Sequence, residues 1–536
     1  MDQQTSLEIG QVISVAGSKV TGIMVKHSDA QQTEQAANAT QVGSIVTIKT
    51  PSSLVFGVLA SLTTQDPSYP FSSDQTRITE IDLVGESLRQ DEAGNLIFQR
   101  GVSIYPGLGA TILSTTSRDL AQIYAQPSKP SIKVGALRQD LSQPAYLKVD
   151  ELVGKHFAIL GHSGTGKSCA ITLLLRTIFD DYPDGHVVMF DPHDEYTKTF
   201  GDRAEVITPD NLQLPYWLLN FEEITEALCS HEPGNREVEA PLLKEAIIEA
   251  KKAYMERNGE RIPFTVDTPI PYHLNKVVEH LNAAMGRLNR TEKPQAYQRI
   301  IYRIESLKQD SRYRFMFFNT NVHDSMGDIL SRLLRMPGEN KPISIIGLAG
   351  MPSEIVDVVV SLLCRMIFDF AVWGDKERSV PILMICEEAH RYAPHDPDLG
   401  FAPTRRAISR IAKEGRKYGV SLGLVTQRPS EISEMIISQC STLFIMRMST
   451  EYDQNFVAHV LPETAAGLLL ALPVLRTQEA IAVGEAVNFP MMIYFEALDS
   501  EYRPSSDTRS VSQGWLEEQA DRELVDRTIE RWRNQK

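Results

Sequence analysis

Cysteine is scarce in this chain and never paired. Five residues lie scattered at positions 169, 229, 364, 386 and 440, an odd count without a CxxC. Neither a disulfide framework nor a zinc ribbon is expected from that pattern. Long apolar runs are missing as well. The longest, Val358–Cys364 and Leu468–Leu475, fall well short of a membrane span, so no membrane association is expected. The opening Met1-Asp2-Gln3-Gln4 has no basic stretch and no apolar stretch, so no secretory leader and a cytoplasmic location are expected. Positive charge is in deficit: 54 Lys and Arg stand against 69 Asp and Glu, a net charge of −15. A chain this acidic does not coat a polyanion passively, and any nucleic-acid contact needs a local basic patch. Internal repeats and low-complexity tracts are absent. What remains is a globular composition, 42% hydrophobic and 23% charged, in 536 residues. That length fits two to four domains.

The first 130 residues read as β-structure. Short Val-, Ile- and Thr-rich runs at Ile9–Ala16, Lys19–Lys26, Val42–Lys49, Ser53–Ala60, Ile78–Gly85 and Val102–Leu113 are separated by polar or Gly/Pro turns. Such spacing predicts a small barrel or sandwich. Ala30–Thr40 reads as a loop, and the Pro/Ser-bearing stretch Pro127–Pro144 reads as the linker, assigned to residues 131–150. From 151 to 499 the pattern changes to apolar strands alternating with helical segments, which predicts an α/β domain on a parallel sheet. Its strands are His156–Leu160, Val187–Phe190, Ile343–Gly347, Ile382–Cys386, Leu422–Thr426 and Leu443–Met446. Charged, helix-forming sequence at about 221–336 interrupts that alternation as a helical insertion. Residues 500–536 form a loop and a final helix.

The segment Gly161-His162-Ser163-Gly164-Thr165-Gly166-Lys167-Ser168 fits G-x-x-x-x-G-K-[ST] and lies between a predicted strand and a predicted helix, Ser168–Phe179. Glycines let the backbone turn its N–H groups toward phosphates, Lys167 reaches the β- and γ-phosphates, and Ser168 holds Mg²⁺. Cys169 continues the nucleotide-binding segment, and ATP with Mg²⁺ is the expected cofactor pair. Hydrolysis also needs an acid near the metal and a base for water. Ile382–Cys386 ends in Glu387-Glu388, an apolar strand closing on two carboxylates. Glu387 is assigned to metal support and Glu388 to polarising the attacking water. An LSGGQ-type signature is lacking, and neither Asn275-Lys276 nor Asn340-Lys341 has the following Asp that a guanine reader needs.

With these motifs the chain resembles the HerA family of the HerA/FtsK group of ring-shaped DNA motor ATPases. Asp191-Pro192-His193-Asp194-Glu195-Tyr196 follows the second core strand and is similar to the family's DPHGEY-like stretch. Pro215-Tyr216-Trp217 resembles its LPYW element, and Glu387-Glu388-Ala389-His390 stands where many members have DEAH. Glu414-Gly415-Arg416-Lys417-Tyr418-Gly419 resembles the arginine-bearing segment, Thr426-Gln427-Arg428-Pro429-Ser430 the sensor segment, and Gly484-Glu485-Ala486 a late strand. Asp194 for Gly and Glu387 for Asp depart from the pattern. The resemblance implies a RecA-like P-loop ATPase core, a HerA-type N-terminal β-barrel, a homohexamer and double-stranded DNA in a central channel. It also implies a partner: a NurA-like nuclease, or a nuclease-like or sirtuin-like effector in anti-phage defence. The functional expectation is therefore an ATP-driven duplex translocase. The alternative is an ATP-stabilised ring scaffold that recruits and regulates an effector.

Asp191 and Glu195 end a strand near the P-loop, where carboxylates orient water or sense the γ-phosphate; the alternative is an N-cap for the next helix. His193 has no ligand-spaced His or Cys and reads as structural. Gln427, by resemblance, senses the γ-phosphate, and Arg416 is the finger that reaches the neighbouring subunit's nucleotide. From Arg405 to Arg428 seven basic residues accompany one acid. On a helix, Arg406, Arg410, Lys413 and Lys417 share the face opposite Ile408 and Ile411, which makes them candidates for DNA contact. Tyr297–Phe318, with five basic residues among its aromatics, is the second candidate.

Overall fold

The computed structural model describes residues 6–25, 40–64, 77–90, 96–259, 261–287, 294–317, 322–396, 399–461, 466–504, 512, 515 and 522–534. Most of the loop expected at Ala30–Thr40 lies outside these residues.

The N-terminal strands are β1 (Glu8–Ala16), β2 (Lys19–Met24), β3 (Ile45–Lys49), β4 (Leu54–Thr64), β5 (Arg77–Gln90), β6 (Leu96–Arg100) and β7 (Thr111–Ser114). They pair antiparallel in the order β2-β1-β7-β3-β4-β5-β6, and β2 also pairs with β5. Six strands therefore close into a barrel, with β6 hanging on the outside of β5. Closure leaves an interior filled by side chains alone. Ile9, Val12, Val20, Val46, Ile48, Val55, Leu59, Ile81, Leu83 and Ile112 fill it, each nearly free of solvent contact. The run Val102–Leu113, expected as one strand, is mostly loop: Gly101, Gly107 and Gly109 break it, and only its end joins β7.

The second sheet has eleven strands: β8 (Ser131–Leu137), β9 (Pro144–Lys148), β10 (Phe157–Leu160), β11 (Val187–Asp191), β12 (Ala204–Ile207), β13 (Ile343–Gly347), β14 (Ile382–Glu387), β15 (Val420–Thr426), β16 (Thr442–Ile445), β17 (Glu479–Gly484) and β18 (Met491–Phe495). Their order is β12-β13-β11-β14-β15-β10-β16-β17-β18-β8-β9. From β12 to β16 every pairing is parallel. β17, β18, β8 and β9 then continue antiparallel. The expected parallel sheet is thus one side of a mixed one, running from the edge strand β12 to β16. This also corrects the expected linker at 131–150, which forms the sheet's outer strands β8 and β9. β9 opens on Pro144, which the outermost position tolerates because Pro has no N–H for a further neighbour.

β11, β13, β14 and β15 are buried along their whole length. Helices cover the faces, among them the apolar helix Ser353–Trp373. The interruption between β12 and β13 is helical: Phe221–Leu228, Pro233–Asn258, Leu274–Arg287, Pro294–Gln309, Arg314–Phe317 and Met326–Leu334. The final helix runs Arg522–Asn534.

Candidate active site

β10 sits between β15 and β16, with Leu160 level with Thr426 and Ile445. The loop after it turns through left-handed backbone at Gly164 (φ 73°) and Gly166 (φ 103°), where side chains are disfavoured. At Gly161 a Cβ would come 2.7 Å from Met446 Cβ, so only glycine lets the loop lie against the chain leaving β16. The helix Lys167–Asp181 then begins, its first N–H groups facing the loop's concavity. Thr165 Oγ1 donates to the His162 carbonyl at 2.8 Å, and Lys167 Nζ donates to the same oxygen at 3.0 Å. The loop is also tied from outside, by the Gln478 N–H on Thr165 O at 3.1 Å.

Carboxylates gather around this lysine. β14 delivers Glu387 and Glu388 from the strand next to β15, only 4% and 7% exposed. β11, on the other side of β14, ends in Asp191 and leads to Glu195. Burial lowers the Lys167 pKa, while Glu387, Glu388 and Glu195 oppose that shift. Burial pushes Glu387 up, to about 8, and the charge of Glu388 adds to the rise. Tyr196 OH donates to Glu387 Oε2 at 2.9 Å. Ser168 Oγ donates to Glu195 Oε2 at 3.0 Å, which leaves the hydroxyl's lone pairs for another partner.

Glu388 differs from its neighbours. Its backbone is left-handed at φ 51°, and its buried Oε2 accepts no hydrogen bond. A buried carboxylate oxygen without a donor is a polar group held ready for something else.

Asp191 has a local task. Its Oδ1 accepts the His193 and Glu195 N–H groups, each at 3.2 Å, and its Oδ2 accepts the Tyr196 N–H at 2.9 Å. It caps its own loop, not the helix that the alternative reading expected, and so aims Glu195 and Tyr196. Asp194 occupies φ 55°, a conformation natural to Gly, the residue it replaces in the family pattern.

Gln427 follows β15 directly, next to the P-loop, where the Gly161 N–H meets Thr426 O at 3.3 Å. With His162, Ser163, Arg428, Tyr452 and Asp453 it lines a cleft of about 450 Å³. Arg416 lies elsewhere. It belongs to the turn Gly415–Tyr418 before β15 starts, at the opposite edge of the sheet. The seven residues of β15 separate it from Gln427 by roughly 20 Å or more. Arg416 is exposed there, beyond reach of its own P-loop.

Of the basic row, Arg406 and Arg410 on the helix Ala402–Glu414 are compensated within the chain, and Lys417 falls in the turn after it. Arg406 pairs with Glu222, and Arg410 lies 3.6 Å from Asp369 with its guanidinium 4.5 Å from the centre of the Phe368 ring. Lys413 and Lys417 stay exposed. In the second DNA candidate, Arg299 pairs with Glu239, Arg312 with Asp310 and Lys308 with Glu305. Phe318 lies outside the described residues. Each row was legible in the sequence; Glu222, Asp369 and Glu239, distant along the chain from the arginines they meet, were not. Sequence reasoning also left Tyr196 and His390 without roles, although both stood inside quoted motifs. Asp453 had no signal at all, since only tertiary contact brings it to His162, 3.1 Å away.

The residues fit a nucleoside triphosphate with Mg²⁺. The glycine cradle, one ammonium for phosphate, an uncommitted hydroxyl lone pair on Ser168 and an acid ending β14, one strand beyond β15, supply the donor set such a ligand requires.

The chain is similar to several known proteins. The model of the helicase HerA central domain matches residues 132–367. The DNA double-strand break repair helicase HerA of Pyrococcus furiosus is 26% identical over 466 residues, 77% of this chain and 79% of the relative. A probable helicase of Methanocaldococcus jannaschii is 29% identical over 421 residues, 74% and 76% of the two chains. The solved structure of VirB4 of Thermoanaerobacter pseudethanolicus aligns at a TM-score of 0.49 and 15% identity, covering 70% of this chain and 98% of that one.

Proposed function

Since the chain belongs to the HerA family and is an ATPase, we propose that it is a ring motor that uses ATP hydrolysis to move along double-stranded DNA. One observation carries the reading. Lys167, Ser168, Glu387, Glu388 and Gln427 converge at one edge of adjacent parallel strands, whereas Arg416 stands at the other. Arg416 can serve only a nucleotide held by another copy, which calls for a ring, and six subunits is the family's number.

In this reading the P-loop N–H groups and Lys167 hold the phosphates. Ser168 and Glu387 would hold Mg²⁺, with Glu195 orienting the Ser168 hydroxyl and Tyr196 orienting Glu387. The metal would neutralise phosphate charge as it builds up in the transition state. Glu388 takes the proton of the attacking water, the task for which its free Oε2 is suited. Gln427 senses the γ-phosphate with an uncharged amide. Arg416 from the next subunit stabilises the transferring group, a contribution worth about 10³–10⁵ in rate. Duplex DNA would run through the central channel, and a separate nuclease or defence effector would act on what the motor delivers. Those last two elements rest on the family's habits.

The test separates binding from chemistry. Lys167→Ala should lose both nucleotide affinity and turnover. Glu388→Gln should bind ATP normally while turnover falls by about 10²–10⁴. Wild-type hydrolysis by Glu388→Gln would reject this base. Failure of duplex DNA to stimulate the wild-type ATPase, together with no salt-sensitive duplex binding, would reject the motor.

A further inference from the structure

We propose that His390 is a positioning residue that shares one hydrogen-bond donor between the hydrolytic base and the strand carrying the sensor. This rests on reading Glu388 as the base. His390 lies in the turn Ala389–Arg391 that follows Glu388, with its side chain only 13% exposed. Its Nδ1 stands 3.0 Å from Thr426 Oγ1 and 3.3 Å from Glu388 Oε2. Burial lowers the imidazole pKa against the pull of Glu388, so the ring is neutral at neutral pH and carries one N–H.

A carboxylate oxygen beside Nδ1 can only accept, which selects the ring tautomer with its proton on Nδ1; that proton faces two acceptors and can serve one of them at full strength. Thr426 Oγ1 already accepts the Arg428 N–H at 3.1 Å, so it holds the start of the sensor loop. Glu388 Oε2 has no other donor. The strained backbone at Glu388 fixes the direction in which the carboxylate leaves the strand, which keeps Oε2 beside the ring. Turning Nδ1–H toward Glu388 loosens Thr426, and turning it toward Thr426 frees Glu388 for water. Gln427 is the residue that follows Thr426. The base and the sensor are thus linked through a single ring, although they arise from different strands.

The far end of the same loop is anchored separately. Ser430 Oγ donates to Asp453 Oδ1 at 2.7 Å, and Asp453 Oδ2 meets His162 Nε2 of the P-loop at 3.1 Å. Loss of His390 therefore slackens only the Thr426 end, and nucleotide binding through the P-loop should persist.

The experiment compares His390→Ala, His390→Asn, His390→Gln and Thr426→Val in the full chain, by steady-state ATPase, nucleotide affinity and thermal unfolding. Asn places an amide near the Nδ1 position, whereas Gln places it near Nε2. His390→Ala and His390→Gln should lower kcat by about tenfold or more with nucleotide affinity unchanged. His390→Asn should recover most of the rate. The pair His390→Ala with Thr426→Val should be no slower than His390→Ala alone, because both remove one link. In a Glu388→Gln background, His390→Ala should cost nothing further. Wild-type kcat in His390→Ala, or equal loss in the Asn and Gln variants, overturns the proposal. If His390→Ala unfolds early, the contrast between Asn and Gln still decides. Wild-type hydrolysis by Glu388→Gln would instead reject the base itself.

Discussion

Glu387→Gln should make the nucleotide-free protein more stable and the enzyme worse. Glu387 is fully enclosed, and burial raises its pKa from about 4.5 to about 8. An acid whose folded pKa is raised binds its proton more tightly when folded. Below about pH 4.5 both states are protonated and nothing is lost. As pH climbs from 4.5 to 8 the unfolded chain releases the proton while the native site resists. Native stability therefore falls across that window and levels off above it. At 1.36 kcal/mol per pKa unit, the penalty approaches about 4 kcal/mol near pH 8. Glutamine removes the charge but keeps an acceptor for Tyr196 OH, which bonds Glu387 Oε2 at 2.9 Å. Its amide must still be buried, so the net gain should be about 1–4 kcal/mol at pH 8.5 and less at pH 6. The assay is thermal unfolding of parent and variant in metal-free buffer from pH 5 to 9. The gap between the two midpoints should widen with pH. A variant less stable than the parent at pH 8.5, or a gap independent of pH, would refute the reasoning. The same variant should hydrolyse ATP poorly, because an amide supports Mg²⁺ less well than a carboxylate.

Arg416→Ala should abolish most turnover but leave nucleotide binding intact. Mixed with inactive Lys167→Ala, it should regain activity through interfaces that pair an intact loop with an intact arginine. A strictly monomeric, fully active wild type would refute the trans assignment. Gly166→Ala should cost about 1–3 kcal/mol and disrupt nucleotide binding. The strain comes from φ 103°, because the added Cβ meets nothing closer than 3.5 Å. Arg406→Gln and Arg410→Gln should each change stability by about 1 kcal/mol or less, since both belong to solvent-exposed pairs. Duplex affinity should hardly move in these two variants; a clearly shallower salt slope would restore that helix as a DNA contact.

The chemistry was largely legible in the order of residues. A strand-turn-helix glycine loop and an apolar strand ending in two acids are local patterns. Their conformations follow from backbone sterics and burial within a dozen residues. Most of the N-terminal strands were also readable from their Val-, Ile- and Thr-rich runs, but those runs left a barrel and a sandwich open, and only the pairing of β2 with β5 closes the barrel. The outer strands β8 and β9 were not. Each is short, they are flanked by Pro and Ser, and their pairing depends on β18, more than 340 residues away along the chain.

The sequence by itself determined which groups this protein owns for phosphate, metal and water, because spacing sets local geometry. Only the tertiary structure decided what those groups face. Sheet order places β14 beside β15 and β15 beside β10, and so brings Glu388 to Lys167 and Thr426 to His390. It sends Arg416 to the far edge, and it sets Glu222 against Arg406 across 184 residues, cancelling charge that looked free. Pairing between strands is non-local, and a residue's partners across a sheet leave no trace in its neighbours along the chain.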